Sequence, residues 1–93
     1  MRGYFNLSVG TTTIMLLQPH KARTSFAVAN MSAVDTVYIG TDTELTASNG
    51  FPIRPGTQMT FNSGNGDNTT IGRYIIASAG TVDVRVLEEY GGE

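Results

Sequence analysis

The only histidine in the sequence, His20, is the first candidate for catalytic chemistry. A histidine acts as a general base only when a nucleophile or a carboxylate is positioned beside it. His20 stands between Pro19 and Lys21, in a segment predicted to be a linker, and no such group adjoins it. We therefore expect a solvated loop histidine, and we predict no catalytic residue and no enzyme activity.

Two groups of acidic residues could bind a cation or carry acid–base chemistry. Asp67 is the one carboxylate in a loop rich in Gly and Asn over residues 62–68, whereas an EF-hand calcium loop needs several. Asp35, Asp42 and Glu44 surround a predicted hairpin, where acidic side chains are common. The chain also has no cysteine, which removes thiolate zinc ligands and thiol nucleophiles. We therefore predict no metal site and no cofactor.

Two strands predicted near the C-terminus carry the clearest candidates for a binding role. Residues 73–78 and 81–86 are separated by Ala79-Gly80, which is typical of a two-residue hairpin loop. That register pairs Tyr74 with Arg85 on the outward face, where a cation–π contact can form. The inward face of this hairpin is the expected core, and it carries Ile75, Ala77, Val82, Val84 and Val86.

The outward face of the same hairpin has more apolar side chains than a solvated surface requires. Charged residues make up only 15% of the chain, below the share of about 25% in an average soluble protein. Tyrosine and arginine are enriched in interface hot spots, so we predict a protein-binding face. Its residues are Tyr74, Ile76, Arg85 and Leu87, with Tyr38 as a further contact. An N-terminal arm that reaches a neighbouring subunit is predicted from Phe5, Leu7 and Ile14–Leu17.

The elements that must position these residues are predicted to be strands. β-Branched residues are frequent, Gly and Pro recur at short intervals, and no stretch has the apolar period of an α-helix. A second hairpin is predicted between residues 24–30 and 36–40. Asn49-Gly50 is typical of a type I′ turn between residues 44–48 and the strand that follows. Pro52 limits that next strand to a short one or a sheet edge, and Pro55-Gly56 matches the centre of a type II turn.

Seven or eight short strands indicate an all-β fold, a single antiparallel β-sandwich of jelly-roll-like form. An immunoglobulin-like sandwich stays open at this point, although its pattern of Cys and Trp is absent. The chain is predicted to be one domain. Residues 1–22 are an N-terminal arm or the first strands, residues 23–88 are the sandwich core, and residues 89–93 are a frayed tail.

Charge and hydropathy bear on the possible partners. The formal net charge is −2, with no basic field to hold a phosphate backbone, so no nucleic acid partner is predicted. The apolar run Ile14–Leu17 is too short for a signal peptide or a bilayer span. We therefore expect no membrane partner and synthesis in a cytoplasm.

A pattern of strands and turns over residues 23–88 resembles small structural proteins of tailed bacteriophages. It comprises RTSFAVAN at residues 23–30, VYIG at 37–40, NGFPI at 49–53, the Pro55-Gly56 turn and GTVDVRVLE at 80–88. The resemblance implies a virion protein, most closely a capsid decoration or cement protein made in the host cytoplasm. It also implies binding to the major capsid protein lattice and self-association into a homo-oligomer, often a trimer. No catalytic residue is carried by the match.

Two alternatives remain at this stage. The first is a small structural component of the head–tail junction or the tail, which the same resemblance allows. The second is a carbohydrate-binding β-sandwich module, in which Tyr38 and Tyr74 would form the aromatic platform. The absence of Trp and of a carboxylate cluster counts against this second alternative.

Overall fold

The computed structural model describes residues 3–91, and that range contains eight β-strands and one short 3₁₀ turn. Most strands are rich in β-branched and aromatic residues, which pack well on a pleated sheet. The strands are β1 (Tyr4–Val9), β2 (Ile14–Leu17), β3 (Arg23–Asn30), β4 (Val37–Gly40), β5 (Phe51–Ile53), β6 (Gln58–Asn62), β7 (Arg73–Ala77) and β8 (Val82–Tyr90).

The strands form two four-stranded antiparallel sheets around one apolar core. Sheet A has the order β1-β8-β3-β6, and sheet B has the order β2-β7-β4-β5. The first strand therefore pairs with the last, the second with the seventh, the third with the sixth and the fourth with the fifth. This is the pairing of a jelly roll, in which one long antiparallel ribbon folds over itself. The predicted all-β sandwich of jelly-roll-like form is confirmed, and the immunoglobulin-like order is excluded.

The predicted C-terminal hairpin is wrong. β7 lies in sheet B and β8 in sheet A, so the chain crosses between the sheets at Ala79-Gly80. Tyr74 therefore does not face Arg85. It pairs with Met15 of β2, whereas Arg85 pairs with Asn6 of β1. The inward residues were predicted correctly, because they meet across the sandwich rather than side by side. The buried set is Ile75, Ala77, Val82, Val84 and Val86.

The second predicted hairpin is also wrong, because β3 belongs to sheet A and β4 to sheet B. Residues 44–48 form turns rather than a strand, and Asn49-Gly50 does not adopt the positive φ angles of a type I′ turn. The Asn49 side chain closes this loop instead. Its Oδ1 accepts a hydrogen bond from the Thr46 N–H at 2.8 Å, and its Nδ2 donates to the Glu44 carbonyl at 3.1 Å.

Two local predictions around the prolines are confirmed. The Thr57 N–H donates to the Arg54 carbonyl at 3.2 Å across Pro55-Gly56, and Gly56 has a φ of 72°. Type II turns require this left-handed angle at their third residue, which glycine adopts without steric cost. Pro52 lies in β5, a strand of three residues at the edge of sheet B.

Both ends of the described chain are built into the sheets. Of the two predictions for residues 1–22, the first strands are confirmed by β1 and β2, and the arm of Phe5, Leu7 and Ile14–Leu17 is wrong. The predicted tail is wrong for its first residues, because Tyr90 pairs with Arg23 and the Gly91 N–H donates to the Ala22 carbonyl at 2.8 Å. Residues 1–2 of the predicted arm and 92–93 of the predicted tail lie outside the described residues.

Candidate binding surfaces

The outer face of sheet A is a shallow concavity of about 840 Å³. Its floor is formed by Ala27 and Ala29, because β3 alternates these small residues with the buried Phe26 and Val28. The cross-strand partner of Ala27 on β8 is Leu87, whose side chain is 50% exposed. The remaining lining residues are Tyr4, Phe5, Asn6, Gln58, Arg85 and Val86. A small-residue floor with exposed apolar groups beside it suits a protruding partner surface.

Arg85 is the charged residue among those that line this concavity. Its guanidinium forms an ion pair with Asp83 two residues earlier, with 2.9 Å between Arg85 Nη2 and Asp83 Oδ2. The hydrogen bond and charge of Asp83 raise the pKa of the Arg85 guanidinium, so Arg85 remains protonated. Both side chains are exposed, and pairs of this kind add little to stability. The face therefore combines an alanine floor and the exposed Leu87 with one neutralised ion pair, and arginine and aromatic side chains are enriched at protein interfaces.

The outer face of sheet B is partly covered by the chain itself. Leu45, from the loop between β4 and β5, is buried, and the Thr13 hydroxyl donates to its carbonyl at 2.7 Å. A Cβ atom at Gly50 would lie 2.5 Å from Leu45 Cδ1 and 2.6 Å from Tyr38 Cβ, so the loop packs too closely for any other residue there. Ile76, cross-strand from Tyr38, is buried as well.

The residues predicted to form one contact face are split between opposite sides of the sandwich. Arg85 and Leu87 lie on the outer face of sheet A, whereas Tyr38, Tyr74 and Ile76 lie on the outer face of sheet B. The split follows from the wrong hairpin, which had placed β7 beside β8. Phe5 and Leu7 point toward the core side of β1, at the edge of sheet A, as partners of Val86 and Val84.

Several lining residues of the concavity were not predicted from the sequence, among them Tyr4, Ala27 and Ala29. A usable signal was present, since Ala alternates with larger residues in the run FAVA at 26–29. Small residues at every outward position of a strand leave space above the sheet. The identity of the neighbouring strands, and hence Tyr4, could not be read from that signal.

A buried polar cluster lies where β3, β8 and the loop after β2 meet. Arg23 Nε donates to Glu88 Oε1 at 2.9 Å, and both side chains are nearly inaccessible to solvent. The other guanidinium nitrogens donate to the carbonyls of Gln18, Thr69 and Ile71. Because these acceptors come from separate segments, the cluster ties the N-terminal and C-terminal parts of the chain together.

Tyr90 and His20 extend this cluster to the surface. The Tyr90 hydroxyl donates to Glu88 Oε1 at 2.7 Å, and burial, followed by this bond to the carboxylate, raises the pKa of Tyr90. The His20 ring packs edge-on against Tyr90, with 4.5 Å between centroids, and His20 Nδ1 accepts from the Ala22 N–H at 3.1 Å. His20 lies in a loop, as predicted, but it is half-buried, so the expectation of a solvated side chain is wrong. Both of these contacts are structural.

The loop over residues 62–68 is ordered by its own polar groups. Asp67 Oδ2 accepts from the Asn62 N–H at 2.9 Å at the end of β6. Asp35 is half-buried, and the carboxylate of Asp42 accepts from the Glu44 N–H at 2.9 Å. Within residues 3–91, no group of three or more His, Asp or Glu side chains is placed to hold a metal ion. No helix in that range has the length and apolarity to cross a membrane.

Comparison with known proteins finds no family model that matches this chain. A search of curated proteins likewise finds no significant match. The jelly-roll order does not supply a function either, because viral capsid domains, lectins and cupins all use it. Inference of function therefore rests on the surfaces described above.

Proposed function

We propose that this protein is a structural component of a bacteriophage virion, of the capsid decoration or cement type. In this proposal it carries out no catalysis, and it acts by binding a lattice of identical capsid subunits. The single observation that carries the proposal is the open concavity on sheet A, with its alanine floor and the exposed Leu87. The resemblance of residues 23–88 to small phage structural proteins adds to it.

The physical basis of binding would be burial of apolar area over the concavity. Specific association needs about 800 Å² per partner, and the outer face of a four-stranded sheet offers a surface of that order. Few charges have to be desolvated, because Arg85, the charged residue that lines the concavity, is already paired with Asp83. Many copies on one lattice also add avidity without further contacts.

Cosedimentation with capsids assembled without this protein tests the proposal. We expect the wild-type chain to pellet with capsids and to saturate them. Leu87→Glu places a charge beside the alanine floor of the concavity, and Ala27→Arg fills that floor. Each substitution should weaken capsid binding by about tenfold or more. Val34→Glu is the matched control, since Val34 is a loop residue that is 80% exposed.

The outcomes separate the alternatives. If the wild-type chain ignores capsids, the decoration role is wrong. If Val34→Glu weakens binding as much as Leu87→Glu, the concavity on sheet A is not the contact. A particle image that places the protein at the neck or tail would replace the decoration role with a head–tail or tail role.

A further inference from the structure

The four edge strands of the two sheets differ in how they are protected against pairing with another strand. Exposed edges are usually blocked by bulges, prolines, charges or short length. In sheet B, β2 has a register shift between Met15 and Leu17, and β5 has three residues and contains Pro52. In sheet A, β6 is capped at Asn62 by the Asp67 side chain. β1 has none of these devices.

β1 is a regular strand over its whole length. Its six residues, YFNLSV, contain no charge, proline or glycine, and each pairs with β8 in one unbroken register. Antiparallel ladders alternate between pairs that exchange main-chain hydrogen bonds and pairs that do not. The Glu88 N–H donates to the Gly3 carbonyl, and the Met31 N–H donates to the Asp83 carbonyl on the other side of β8. This phase directs the main-chain N–H and C=O groups of Asn6 and Ser8 away from β8, toward the open edge.

The apolar core is also incomplete at this edge. Phe5 faces the core side as the partner of Val86, yet it remains 36% exposed, and Leu7 is only partly buried. A further strand beside β1 would cover both side chains and satisfy the outward main-chain groups of Asn6 and Ser8.

We infer that the strand that occupies this edge is β1 of a second copy of the chain, in an antiparallel pair about a two-fold axis at Asn6. In this register Asn6 exchanges both main-chain hydrogen bonds with Asn6 of the other copy, and Phe5 of each copy lies opposite Leu7 of the other. The two sheets A then form one eight-stranded sheet.

A second copy fits better than a charged partner strand. β1 offers no charge for an oppositely charged strand to recognise, and the net charge of −2 opposes self-association only weakly. A two-fold axis matches one patch with itself and closes the assembly at two copies. The inference does not rest on the proposed function, since it concerns the free protein in solution.

Sedimentation equilibrium of the full chain tests the pairing, with Asn6→Lys as the disrupting variant. The Asn6 side chain is exposed, so the fold should survive, and the two added charges face each other across the two-fold axis. We expect a reversible wild-type dimer and a dissociation constant raised by about tenfold or more in Asn6→Lys. Thr60→Lys is the matched control, because Thr60 is an exposed residue on β6, the other edge of sheet A.

Disulfide trapping supplies an independent readout, because the natural chain has no cysteine. Asn6→Cys should cross-link into a covalent dimer under mild oxidation, and Thr60→Cys should not. A wild-type chain that stays monomeric to about 1 mM overturns the inference, as does a trimer, or a dimer that Asn6→Lys leaves intact. If the free chain is monomeric but Ser8→Lys, a substitution on β1 outside the lining of the concavity, blocks capsid binding, β1 pairs with a capsid strand and the self-pairing is wrong.

Discussion

The two edge strands of sheet A, β1 and β6, are similar in composition, but their phenylalanine side chains are covered to different extents. β6 and β1 are both short, uncharged and regular, and each places a phenylalanine on the core side. At the β6 edge, Phe61 stacks on Phe26 at 4.6 Å, and the Arg73 guanidinium lies 4.7 Å from the Phe61 centroid. At the β1 edge, no aromatic ring or guanidinium of residues 3–91 stacks on Phe5, which remains 36% exposed.

The difference comes from the chain that follows each strand. After β6, the loop brings Asp67 to the end of the strand, and Arg73 at the start of β7 lies over the aromatic pair. Burial lowers the pKa of Arg73, while the charge of Asp67 opposes that shift. Beside β1, the charged cross-strand partners on β8, Arg85 and Asp83, lie on the outer face and pair with each other, so they do not cover the core side of β1. A sealed edge therefore depends on loop residues rather than on the strand's own composition.

The largest effect on stability should come from the buried ion pair between Arg23 and Glu88, which line the same hollow as Phe5 of β1. Glu88→Leu leaves the Arg23 charge buried without its carboxylate, and we expect a loss of about 3 kcal/mol in the free energy of unfolding, measured by urea denaturation. The double variant Arg23→Met with Glu88→Leu removes both charges and should recover much of that loss. A single variant that loses less than about 1 kcal/mol would contradict a structural role for the pair.

The next effect concerns the two phenylalanines that define the edges. Phe61→Ala removes the stacked ring at the sealed edge and should cost about 2–3 kcal/mol. Phe5→Ala, at the open edge, should cost about 1 kcal/mol when measured at a concentration where the chain is monomeric. Equal losses would mean that the β1 edge is as well packed as the β6 edge.

Tyr90, whose hydroxyl donates to Glu88, should make the free energy of unfolding depend on alkaline pH. Its pKa is raised in the folded state above the ordinary value of 10.0, so its contribution to stability is complete below pH 10 and is lost as the pH rises above it. Tyr90→Phe should cost about 1 kcal/mol at neutral pH and should remove that alkaline decline. Tyr38→Phe, in sheet B, is the matched control for the loss of a tyrosine hydroxyl.

The smallest effect should follow from opening the end of the β6 edge. Asp67→Ala removes the acceptor of the Asn62 N–H, an exposed bond worth about 0.5 kcal/mol. Hydrogen exchange at the Asn62 amide should accelerate. Asp67→Asn keeps an acceptor oxygen and should restore slow exchange; if it does not, the charge of Asp67 rather than its hydrogen bond closes the edge.

Local features of the fold were predictable from the sequence. The type II turn at Pro55-Gly56 and the edge position of Pro52 depend on a few neighbouring residues, and the structure has both. The inward set on β7 and β8 was also predictable, because side chains alternate along a strand whichever strand lies beside it. The candidate surface was only partly predictable. Arg85, Leu87 and Phe5 line the concavity, but Tyr38, Tyr74, Ile76 and Leu7 do not.

Most of the strands, the core side of most of them and the absence of thiol chemistry can be predicted from the sequence. Which strands pair is seen only in the folded structure. Ala79-Gly80 fits either a hairpin or a crossing between sheets, and both arrangements bury Ile75 and Val84 equally well. The choice depends on pairings between residues far apart in sequence, such as Phe5 with Val86. Such long-range pairing leaves no periodic signal in the sequence. The positions of the concavity and of the open β1 edge both follow from it, so neither could be predicted.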